Sequence, residues 1–129
     1  MGTYYYSRTL SLPMEEAEAR VTEALAEEGL GVLTKIDVKA TLKQKLDVDF
    51  RPYTILGACN PAFAHQALEL EDKIGTMLPC NVVVQAAGEG RVEVAAVDPV
   101  ASMSAVENEQ LTPVAEEVRE RLRRVIDSL

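Results

Sequence analysis

Residues 53–84, YTILGACNPAFAHQALELEDKIGTMLPCNVVV, decide how the chain is read, and they hold both cysteines and the only histidine. Tyr53 to Ala58 is rich in β-branched and aromatic residues and reads as a strand. Asn60 is placed to cap a helix that starts at Pro61, where a missing N–H costs nothing, and runs to Leu70. Gly75 and Pro79 mark a loop. Cys80 to Gln85 is then a continuous apolar strand. The order strand, capped helix, strand brings one cysteine to the start of the helix and the other to the start of the second strand.

Downstream, the turn Ala87-Gly88-Glu89-Gly90 returns the chain into Arg91 to Val97, which makes a hairpin. Asp98-Pro99 breaks that strand, and Val100 to Gln110 has room for a short helical turn. Thr112 is expected to cap the last helix, with Pro113 in its first position. Its stripe is Val114, Val118, Leu122, Val125, Ile126 and Leu129. Glu117 with Arg121 and Glu120 with Arg124 stand in the favourable i, i+4 order on its outer side.

Upstream, Thr3 to Leu10 reads as a strand with Tyr4, Tyr6 and Leu10 on one face. Ser11 is expected to cap a helix with Pro13 in its first turn and Met14, Ala17, Val21, Ala24 and Leu25 as its apolar stripe. Gly29 ends that helix, with Leu30 making the apolar contact of a Schellman stop. Gly31 to Ile36 alternates as a second strand. Asp37 caps a helix of about two turns, with Val38, Leu42 and Leu46 inside and Lys39, Lys43 and Lys45 outside. The lysines are read as a solvated face, because Asp37, Asp47 and Asp49 flank them.

These elements predict an α+β domain over residues 1–129, with a mainly antiparallel sheet of about five strands covered on one face by helices. The opposite face then needs a cover. Tyr4, Tyr6 and their neighbours are the residues expected there, with a second subunit as the cover, so a homodimer is predicted.

Composition sets limits on function. The 129 residues are 47% hydrophobic and 26% charged, enough for one core that buries roughly two-thirds of the unfolded surface. A net charge of -8 and a pI near 4.7 oppose binding to a phosphate backbone or to anionic lipid, so neither nucleic acid nor membrane is an expected partner. No run of residues is long and apolar enough to span a bilayer. Met1-Gly2-Thr3 leads into strand-like sequence without a signal-peptide pattern, and Tyr6 stands where N-myristoylation needs Ser or Thr. The expected location is the cytoplasm, where two cysteines 21 positions apart stay reduced.

The segments GACNP at 57–61 and LPCNVVV at 78–84, with GVLTKIDVKATLKQKL at 31–46, VDFRPYTIL at 48–56 and AEEVRERL at 115–122, carry a resemblance over nearly the full length. The chain resembles the bacterial and archaeal family catalogued as domain of unknown function 302. That resemblance implies a fold akin to the TATA-box-binding-protein sheet, a homodimer and no established activity. It implies no DNA binding, since a fold does not fix a function. The family pattern carries over onto Cys59, Asn60, Cys80 and Asn81.

Three functions compete. The first is a non-enzymatic homodimeric module that binds a small ligand or protein partner between sheet and helices. It is favoured because no Ser-His-Asp set, HExxH, P-loop or dinucleotide glycine pattern is present. The second is thiol chemistry at Cys59, activated by the helix start and by His65, with Cys80 as resolving partner. The competing structural reading makes Cys59 a small buried hydrophobe. The third is a soft-metal site from Cys59, Cys80 and His65, which lack close ligand spacing. No cofactor or metal is called for. The candidate site is Cys59, Asn60, His65, Cys80 and Asn81.

Overall fold

The alternating strands pair into one sheet in the computed structural model, which describes residues 4–129. The strands are β1 (Tyr5–Leu10), β2 (Gly31–Asp37), β3 (Tyr53–Cys59), β4 (Cys80–Ala86) and β5 (Val92–Val97). Their order is β1-β5-β4-β3-β2 and every neighbouring pair is antiparallel. The helices are α1 (Met14–Glu27), α2 (Val38–Leu46), α3 (Pro61–Leu70), α4 (Pro99–Ser102) and α5 (Thr112–Ser128). Thr3, the expected start of the first strand, lies outside the described residues.

The period of two along each strand divides the sheet into a covered and an open face. Leu56 faces Val82, Val82 faces Ala96, and Val84 faces Val94 across the ladders, and all of these are buried. Ala17, Val21 and Leu25 of α1 and Leu122, Val125 and Ile126 of α5 pack on them. A single core was expected. A second, smaller cluster of Ala67, Ile74 and Leu111 lies under the end of α3, because the turn at Ile74–Met77 folds back beneath it.

Helix ends show which local signals survive folding. Gly29 at φ +76 ends α1, and Leu30 donates to the Leu25 carbonyl at 2.8 Å while Gly29 donates to that of Ala26, the double bond of a Schellman stop. Asp37 and Asn60 accept the expected capping bonds from Ala40 and Phe63. Ser11 does not cap α1. Pro13 holds that position in extended backbone and offers no capping side chain, so it precedes the helix instead of opening its first turn. Thr112 does not cap α5 either, because a tight turn at Glu109–Leu111, capped by Asn108, runs straight into the helix and leaves Thr112 already helical.

Two further expectations change. The stripe Val38, Leu42 and Leu46 of α2 contains no buried residue, and Leu46 stays 65% exposed, because α2 contributes to neither hydrophobic cluster. Tyr6 belongs to the covered face. It lies opposite buried Ala96, and its hydroxyl donates to Asp127 Oδ1 of α5 at 2.7 Å. Tyr5 is the tyrosine of β1 whose side chain falls on the other face, opposite Val97.

Candidate functional site

Strand β3 runs one residue further than its sequence pattern suggests, so Cys59 is the last residue of the strand and Asn60 turns the chain into α3. Cys80 begins β4 and pairs with Ala58, which makes the two cysteines diagonal neighbours across the ladder. Both line one crevice with Asn60, Phe63, Leu30 and Leu78. Both are free thiols.

The crevice has a volume of about 30 Å3. That admits a water molecule or two, and its apolar walls give such water few partners. At the two cysteines, the space between sheet and helices is therefore largely filled by side chains.

Neither thiol gains from the helix start. Asn60 Oδ1 takes the Phe63 N–H at 3.0 Å, and the Cys59 thiol donates instead to the Asn60 carbonyl at 3.6 Å. Burial pushes the half-buried Cys59 thiol above its ordinary value. Burial, with a smaller contribution from a charge on Cys59, pushes Cys80 up to about 11. Both groups are held as neutral thiols at physiological pH.

The other three candidates separate. Asn60 also donates from Nδ2 to the Gly29 carbonyl at 3.0 Å, and Arg121 donates to the neighbouring Glu28 carbonyl at 2.8 Å. The Arg121 guanidinium lies 4.9 Å over the Phe63 ring. Asn60 thus ties the end of α1 to the start of α3, and Arg121 brings α5 to the same two ends. His65 is not in the crevice; its side chain is 77% exposed and pairs with Glu69 on the same helix. Asn81 lies on the open face beside Gly57. Among the described residues no group of three or more His, Cys, Asp or Glu is arranged to hold a metal ion.

The open face is the larger feature, and most of its residues are outside the expected site. Its centre is Ile36, Ile55, Val83 and Ala95, which stand opposite one another across β2, β3, β4 and β5. Its rim is a polar row in which Arg51 donates to Gln85 at 2.9 Å and Gln85 donates to Glu93 at 3.1 Å. Arg51 is steadied by the Phe50 and Tyr53 rings, 4.5 and 5.6 Å from its guanidinium carbon. At Gly57 the face closes: a Cβ there would collide with Thr34 Oγ1 and come within 2.6 Å of the Pro79 ring. The period-two pattern of β3 to β5 carried the signal for this face, since Ile55, Val83 and Ala95 alternate with core residues.

A family model described as Domain of unknown function DUF302 matches residues 6–129. The chain belongs to the DUF302 family. A crystal structure of an uncharacterized conserved protein DUF302 from Bacillus stearothermophilus is similar to it, with 30% identity, a TM-score of 0.89 and 98% of each chain covered. No protein of curated function matches. The similarity to that solved DUF302 structure spans both the covered and the open face, because it leaves almost none of this chain out. The function of the DUF302 family is unknown. No helix among the described residues is long and apolar enough to cross a membrane.

Proposed function

We propose that this DUF302 chain is a non-enzymatic module that works as a homodimer, with the open face of the sheet as its contact surface. The observation that carries this reading is a five-stranded sheet with a hydrophobic core on one face and an apolar centre, Ile36, Ile55, Val83 and Ala95, uncovered on the other. Ile36 alone keeps 48% of its surface in water. A second copy is favoured over a differently charged partner by the balance of charge. The chain carries -8, yet the rim of this face joins Arg51 to Glu93 through Gln85 and is neutral as a unit. Two copies can meet there without bringing their excess negative charge into contact.

Thiol chemistry has less support. Burial raises both cysteines, and His65 stands away from them. Their neutral, unpaired state fits a reducing compartment, so we place the protein in the cytoplasm. Light scattering on the wild type and on Val83→Glu tests the reading. A dimer mass that falls to the monomer in the variant supports it, and a wild-type monomer at micromolar concentration refutes it.

A further inference from the structure

We propose that the pocket between the start of β1 and the last helix binds a small organic oxyanion, a carboxylate or a phosphate ester, through Arg119 and Arg123. The pocket has a volume of about 350 Å3. Tyr6, Val97 and Leu122 are its apolar lining, and Tyr5 and Asp98 also border it. That size lies at the small end of ligand sites, which combine apolar walls with a few polar groups that fix orientation.

The two arginines stand one turn apart on α5 and both line the pocket. Their donors are unspent. Arg119 Nε is buried and has no hydrogen-bond acceptor among the described residues. Glu120 Oε1 stands 3.7 Å from Arg119 Nε and 3.7 Å from Arg123 Nη1, close enough for charge attraction and too far for a hydrogen bond. Arg121 and Arg124 of the same helix behave differently, since each donates a hydrogen bond to Glu28.

The nearby acids do not fill the gap. Asp98 Oδ1 is taken by the N–H groups of Val100 and Ala101, and Asp127 Oδ1 by the Tyr6 hydroxyl. Arg123 lies 5.7 Å over the Tyr6 ring, which steadies its plane. Arg119 is only 26% exposed, and its Nε has lost hydration without gaining an acceptor. An oxyanion placed between the two guanidiniums accepts charge-assisted bonds from both, and the Tyr6 ring suits a flat apolar body attached to it. This claim is separate from the dimer: binding heat reads one and mass in solution reads the other.

Isothermal titration of the full chain with benzoate, phenyl phosphate and inorganic phosphate at constant ionic strength tests it. The expected result is saturable binding of benzoate or phenyl phosphate, weakened about tenfold or more by Arg119→Gln or by Arg123→Gln. Arg20→Gln, on exposed α1 surface, leaves that binding unchanged. Preference for benzoate assigns a carboxylate and preference for phenyl phosphate assigns a phosphate ester. Absence of saturable heat with all three probes up to about 10 mM overturns the proposal. So does affinity in Arg123→Gln equal to wild type, a variant whose half-exposed side chain leaves the core untouched.

Discussion

Cys80 links burial to pH. Its thiol ionises near 9 in an unfolded chain and is pushed up to about 11 in the fold, first by desolvation and then by Cys59. The folded state therefore prefers the proton more than the unfolded state does. The resulting stability is complete below about pH 9 and is lost as pH rises through about 11. The loss is about 2 to 3 kcal/mol for a shift of this size. Thermal melting across that range should show an alkaline slope that Cys80→Val reduces; an unchanged slope in the variant would contradict the burial argument. For the same reason iodoacetamide should label Cys59 and Cys80 slowly in native protein and rapidly after unfolding. Asn60 offers a second residue-scale test, because it caps α3 and holds the Gly29 carbonyl. Asn60→Ala should cost about 1 to 2 kcal/mol in denaturant unfolding, whereas a cost near zero would show that neither bond matters. The cap was legible because it joins residues three apart. The bond to Gly29 joins residues 31 apart and has no local signature. The same distinction separates the two readings of Cys59: a helix start is local, but where its sulfur points is set by packing between strand and helix.

Elements inherit their positions from such packing. Gly57 lets Thr34 of β2 and Pro79 before β4 close over the middle of β3. Gly57→Ala should destabilise by about 1 to 3 kcal/mol, since a side chain there forces neighbours to shift in a formed sheet. The double variant with Thr34→Ala should recover part of that loss but not all, because the Pro79 ring remains 2.6 Å from the added carbon. Full recovery in urea melts, or no loss in the single variant, would show that the strands simply move apart. Periodicity made α1, α5 and the β4–β5 hairpin legible, because each has one apolar stripe and one core face. It misled at α2, where helical spacing of Val38, Leu42 and Leu46 describes a stripe that joins neither hydrophobic cluster and stays unburied. Helix starts failed where backbone replaced a side chain, at Pro13 and at the turn before Thr112.

Across the whole molecule, the chain's negative charge and its uncovered sheet face have to be accommodated together. The sequence led to the one-sided sheet, since its helices carry single stripes and are too few to cover both faces. It could not tell Tyr5 from Tyr6 as the outward residue, because consecutive tyrosines carry no alternation and only the pairing of β1 with β5 sets the parity. The charges that matter for association, Arg51 and Glu93, are 42 residues apart in sequence and meet only through Gln85. Sedimentation equilibrium of wild type and Val83→Glu at micromolar concentration tests the dimer most directly. The open-face account predicts a wild-type mass of twice the 14.1 kDa chain and a folded monomer for the variant. A wild-type monomer, or a dimer that Val83→Glu leaves intact, would contradict it.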